Sequence, residues 1–169
     1  MKKAAQFLLN LSAVLLLSAC GFHPIYGTHG ADDGSPVAMD LNDIAIDNIP
    51  DRNGQILRND LIDRMYGKNR PSQPLYRLVV KVSSSVEELG ILADATSTRE
   101  LLNMYGDYTL TDAKGKVLVK GTAHSVASYD RLDQMYGTVA AQQDATVRTL
   151  HEVSEQIVNR ISLYFSEKE

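Results

Sequence analysis

In the run Leu102-Asn103-Met104-Tyr105-Gly106-Asp107-Tyr108-Thr109-Leu110-Thr111, closed by Asp112-Ala113-Lys114-Gly115 and continued by Lys116-Val117-Leu118-Val119-Lys120, side chains alternate on both sides of a tight turn. Leu102, Met104, Tyr108 and Leu110 share one face, and Asn103, Tyr105, Asp107 and Thr109 share the other. A period of two is the signature of a strand with one dry and one wet side. The spacing predicts a strand over residues 99–111 and a second over 116–129, with Val117, Val119, Ala123, Ala127 and Tyr129 opposed to Lys120, Thr122, His124 and Ser128. Gly115 falls where the turn needs positive φ. Two strands joined this closely pair antiparallel, so the run fixes a hairpin at the centre of the chain.

Upstream, Tyr76, Leu78, Val80 and Val82 alternate with Arg77, Lys81 and Ser83 and predict a strand over residues 75–83. Residues 84–98 are small or polar around Leu89-Gly90-Ile91-Leu92, and fit a strand tip with a hairpin loop. Further back, Leu57, Leu61 and Met65 recur every four residues with Arg58 and Ile62 beside them, which predicts a helix. Asp51-Arg52-Asn53 offers side chains to cap it, and Gly67 stands where a left-handed C-cap would close it. Before it, residues 41–49 alternate, with Ile44, Ile46 and Asn48 on one side, and Pro50 stops the strand. Downstream, residues 129–137 form an irregular link. A long helix over residues 139–165 follows, with Val147, Leu150, Ser154, Ile157, Ile161 and Tyr164 on one stripe, and Val158 and Phe165 beside it. The order β-α-β-β-β-α predicts an α+β two-layer sandwich, two helices packed on a roughly four-stranded sheet, because both amphipathic helices need a sheet face to cover.

The first 19 residues are not part of this domain. Lys2 and Lys3 precede an apolar run, Phe7-Leu8-Leu9 to Leu15-Leu16-Leu17, that is about half the ~20 residues needed to span a bilayer. The run ends in Leu17-Ser18-Ala19-Cys20, similar to a bacterial lipobox, so residues 1–19 are expected to be a lipoprotein signal peptide and Cys20 the lipidated first residue of the mature chain. The lipid would be S-diacylglycerol with an N-acyl chain. A single acyl chain binds membranes marginally, whereas two or three anchor a protein for good. Cys20 is the one cysteine, so the exported chain folds without disulfides. Residues 20–39 make a lipidated tether and residues 40–169 one domain. Within the tether, Phe22, Ile25 and Tyr26 either idle near the membrane interface or dock across the domain.

From Cys20 the chain is 150 residues long with 15 basic and 21 acidic side chains, a formal charge of −6. That balance argues against nucleic acid as partner. No catalytic constellation is present. His23, His29, His124 and His151 lack metal-ligand spacing, no Gly-x-Ser-x-Gly elbow or phosphate loop occurs, and the Asp32-Asp33 and Glu87-Glu88 pairs lie in polar stretches. Met-Tyr-Gly recurs at Met65, Met104 and Met135 without a recurring structural unit. A binding or scaffold role, not an enzyme, is the leading class.

Cys20-Gly21-Phe22-His23-Pro24-Ile25-Tyr26-Gly27, the Ile44-Ala45-Ile46 strand leading into residues 52–65, and Tyr129-Asp130-Arg131-Leu132-Asp133-Gln134-Met135-Tyr136 together resemble the LPS-assembly lipoprotein family LptE, in its alphaproteobacterial branch. The likeness spans the mature chain. It implies a protein that plugs the outer-membrane β-barrel LptD, helps it assemble and supports delivery of lipopolysaccharide to the outer leaflet. Gly21, in place of an aspartate after the cysteine, implies sorting to the inner leaflet of the outer membrane, facing the periplasm or the barrel lumen. The family's reported lipopolysaccharide binding makes Arg77, Lys81, Lys116 and Lys120 candidate contacts, projecting from strands where anionic phosphates could be met. The same four are also what solvated strand surfaces carry. The alternative is a free-standing periplasmic lipoprotein, a lipid-binding carrier or envelope scaffold, distinguished by the lack of a barrel partner.

Overall fold

A computed structural model describes residues 40–66, 71–89, 98–131 and 135–168. The elements run β1 (Ile44–Ile46), α1 (Asp51–Met65), β2 (Tyr76–Leu89), β3 (Thr98–Asp112), β4 (Val117–Arg131) and α2 (Met135–Lys168). The strands lie in chain order in one four-stranded sheet. β1 runs parallel to β2, with α1 as the crossover a parallel pair requires. β2, β3 and β4 form an antiparallel meander. The α+β sandwich foreseen from the periodicities is therefore the fold.

The alternation of β3 decides which side is covered. Leu102, Met104, Tyr108 and Leu110 are buried beneath the helices, joined by Leu78 and Val80 of β2 and by Ala123 and Tyr129 of β4. Leu57 and Leu61 of α1 and Leu150, Val153, Ile157 and Ile161 of α2 close the layer from above, all at 0% exposure. At Gly106 a Cβ would lie 2.7 Å from Val153 Cγ1, so the bare backbone lets α2 settle against the centre of β3.

The β3–β4 turn is as the sequence foretells. Gly115 has φ +81°, and the Asp112 carboxylate accepts the N–H groups of Lys114 and Lys116 at 2.8 and 2.9 Å. One register shift, between Leu110 and Thr111, lets Leu110 face Val119 and Thr111 face Val117.

Four local expectations are corrected. The first strand is three residues long, not nine. Residues 40–42 are helical, and Asn48 is exposed. β1 stops where Arg58 of α1 donates to the carbonyls of Ile46 and Asp47 at 3.2 and 3.1 Å, diverting the groups a longer strand would use. Ile49 then turns inward, 1% exposed, and lies against Gly54. At the α1 N-terminus the cap is Pro50 with no side-chain hydrogen bond, and Asp51 sits at φ +67°, so Asp51-Arg52-Asn53 does not cap. At the other end Tyr66 leaves the helix in an extended conformation, its hydroxyl donating to the Ile44 carbonyl at 2.5 Å, while the Gly67 expectation lies outside the described residues.

β2 runs on to Leu89, in keeping with the strand tip read over residues 84–98, because Ser84 through Leu89 pair in register with Met104 back to Arg99. α2 begins at Met135, inside the expected link, with Met135 and Tyr136 exposed. Finally, Val147 is solvent-facing at 51% exposure. At about 100° per residue the buried stripe winds around α2, from Ala145 and Thr149 at its start to Ser162 and Phe165 at its end, and this leaves Val147 outside.

Candidate functional site: the helix-free face of the sheet

Among the described residues the helices cover one side of the sheet, and the other side is set out by the strand register. Across β2, β3 and β4 it reads Arg77–Thr111–Val117, Val79–Thr109–Lys120, Lys81–Asp107–Thr122, Ser83–Tyr105–His124 and Ser85–Asn103–Val126. Hydroxyls, amides and charges dominate, interrupted by the exposed Val79, Val117 and Val126 at 37%, 52% and 45%.

Three of the four candidate cations meet here. Arg77, Lys81 and Lys120 are exposed within three successive rows, so their Cα atoms span about 13 Å along the strands and about 10 Å across them. Lys116 is exposed at the end of the β3–β4 turn, at the same edge of the sheet. Their partners differ. Arg77 pairs with Asp47 at 3.0 Å, and Lys81 faces Asp107, whose carboxylate already accepts the Thr122 hydroxyl at 2.5 Å. Among the described residues, Lys116 and Lys120 form no ion pair within 4 Å.

A cation the sequence did not single out completes the set. Arg160 of α2 joins Lys120 around a groove of about 280 Å³ beside β4, lined also by Leu118, Val119, Leu163, Tyr164 and Glu167. Its charge reaches Tyr108: burial pushes that phenol's pKa up, and Arg160 partly offsets the rise. Arg160 reads in sequence as one of the wet residues of an amphipathic helix, and only the pairing of α2 with β4 brings it to Lys120. Two cations at the rim of this mostly polar groove can hold a phosphate or carboxylate, with Leu118 and Leu163 beside it and Glu167 as the one acid of the lining.

Further along the face, Tyr105 stacks on His124 with ring centroids 4.4 Å apart. Asn103, 8% exposed, bridges His124 Nε2 at 3.3 Å and Glu87 at 3.3 Å. His151 lies away from this face and ties the helices together. Its Nδ1 is 2.9 Å from Asp60 and its Nε2 2.7 Å from Arg64, which one neutral tautomer satisfies by donating to the carboxylate and accepting from the guanidinium. Cys20 lies outside the described residues, as do His23 and His29. Among the described residues, no helix is long and apolar enough to cross a membrane.

Fold and face together define a small α+β domain with one greasy layer under its helices and one open, polar, basic-edged sheet surface. The chain belongs to the LptE family of lipopolysaccharide-assembly proteins, whose model matches residues 41–161 of the 169. Among solved structures it is similar to a Caulobacter crescentus CB15 protein described as a lipoprotein, with 30% identity and a TM-score of 0.63 over 80% of this chain and 98% of that one. A minor lipoprotein from Acinetobacter baumannii (18% identity, TM-score 0.50, 71% of this chain and 90% of that one) shares the fold. So does an uncharacterized lipoprotein B from Nitrosomonas europaea (13% identity, TM-score 0.53, 73% and 83%). No curated protein matches the sequence significantly.

Proposed function

We propose that this chain is an outer-membrane lipoprotein, anchored through Cys20, that plugs and assists assembly of the LptD β-barrel and supports transport of lipopolysaccharide to the outer leaflet. The observation that carries the reading is the family match over residues 41–161, which contains the whole sheet and most of α2. The helix-free face gives it a physical basis. A barrel lumen is polar, and a domain seated there needs a hydrogen-bonding surface, which the Thr109, Thr111, Thr122, Tyr105 and His124 rows supply. The lipobox-like Leu17-Ser18-Ala19-Cys20 and the lipoprotein neighbours support the anchor.

Lipopolysaccharide carries phosphates on an acylated sugar, and Arg77, Lys81, Lys116 and Lys120 are its contacts in this reading, with Arg160 added. Arg77 is already engaged by Asp47, so Lys116, Lys120 and Arg160 carry more of the contact. Charge reversal at Lys116 and Lys120 in the full-length protein is expected to weaken capture of lipopolysaccharide by at least roughly tenfold, from the loss of two charge-assisted contacts, with an unchanged melting temperature. Capture equal to that of the unmodified protein would remove these residues from the binding surface.

A further inference from the structure

Among the described residues β4 is an edge strand, paired with β3 on one side only. Such an edge offers a row of backbone N–H and C=O groups to any strand that comes alongside. At its midpoint the row is occupied by a side chain. The Gln156 carboxamide of α2 accepts the His124 N–H through Oε1 at 3.2 Å and donates from Nε2 to the His124 carbonyl at 3.0 Å. A carboxamide has the donor and acceptor of a peptide group, so Gln156 fills one residue's place in the strand that would otherwise sit there. The same helix meets β4 one turn earlier through Glu152, which accepts the Ser125 hydroxyl on the covered side.

We infer that Gln156 is a latch that holds the β4 edge closed against a second copy of this chain, and that releasing it lets two β4 strands pair antiparallel about a two-fold axis at Ser125. From Val119 to Arg131 the pairing of β4 with β3 is regular, so residues 120, 122, 124, 126, 128 and 130 all turn their backbone groups outward as His124 does. Centred on Ser125, the two-fold sets Lys120 opposite Asp130 of the second copy, Thr122 opposite Ser128, and His124 opposite Val126. The Lys120–Asp130 pair occurs twice by symmetry, and no like charges face each other. Asp130 is exposed and now pairs with Arg99 at 3.2 Å, a contact the register leaves in place on its own strand pair. Joining the copies would convert two four-stranded sheets into one of eight strands, as closed two-fold interfaces do. The latch therefore keeps the chain single until its sheet meets a partner. The inference stands independently of the barrel reading.

The test is sedimentation equilibrium of the full lipidated chain in density-matched detergent. The unmodified protein is expected to remain monomeric, and Gln156→Ala to associate to a dimer as concentration rises. Adding Lys120→Asp should weaken that dimer roughly tenfold or more, and Lys120→Asp with Asp130→Lys should restore it. Gln156→Met keeps the side-chain volume without the two hydrogen bonds, and it decides the matter if the alanine variant does not fold. Variants of Gln156 that stay folded and monomeric over the whole range would overturn the latch. A dimer indifferent to the charge exchange would overturn the register.

Discussion

Tyr129 and Glu100 show how one buried contact sets a pH limit on the fold. The phenol, 5% exposed, donates to the Glu100 carboxylate at 2.5 Å, and Arg131 stands 3.6 Å from the same carboxylate. Burial, then the hydrogen bond to Glu100, then that residue's charge push the phenol from its ordinary 10.0 up to about 12. The folded state thus keeps the proton that the unfolded chain gives up first. The contribution to stability is complete below pH 10 and is lost as the pH rises from 10 through 12. Denaturation midpoints should stay level to about pH 10 and then fall, and Tyr129→Phe should remove most of that fall. Some remains, because burial raises Tyr108 as well. At neutral pH the same substitution should cost about 1–3 kcal/mol, since the Glu100 carboxylate loses its donor. A variant as stable as the parent at pH 7, with an unaltered alkaline limb, would show that the contact does not operate. None of this pairing was visible in the sequence, where the two residues stand 29 apart and only the β3–β4 register places them side by side.

Elements were legible where a single period governs them. The alternation of β3 and β4 gave strand, face and turn, because each of those follows from neighbours two residues away. Ser84 to Leu89 was legible only as a strand tip ahead of a hairpin loop: both faces are wet there, so no alternation marks its extent, which pairing with β3 sets. β1 stops short of its alternation, since Arg58 from a later helix takes its carbonyls. Val147 matched the stripe by spacing, but the stripe itself turns along α2. The layer contact between α2 and β3 yields the prediction of this scale. Gly106→Ala puts a methyl 2.7 Å from Val153 Cγ1 and should cost about 1–3 kcal/mol through displacement of the helix. Val153→Ala in the same chain should recover part of that loss by double-mutant analysis of thermal melts. Simple additivity of the two costs would mean that helix and strand do not meet as closely as they stand here.

The described residues form a domain with two unlike surfaces. Its helices close one side of the sheet over a continuous apolar core, while the opposite side presents hydroxyls, amides and a basic corner. Of the candidate site, the sequence yielded Arg77, Lys81, Lys116 and Lys120 through their position on wet strand faces. Arg160 stayed hidden because it reaches Lys120 from another element. Membership of the lipopolysaccharide-assembly family and the open polar face lead to one central claim, that this face is made to sit against the lumen of a β-barrel. The most direct measurement is a pull-down of the full-length, lipidated protein from detergent-solubilised outer membranes, with the bound species identified by mass. The account predicts a heat-modifiable β-barrel in one-to-one amount. Recovery of the protein alone, in the membrane fraction but with no barrel bound, would contradict it and leave a free-standing lipoprotein whose ligand belongs at Lys120 and Arg160.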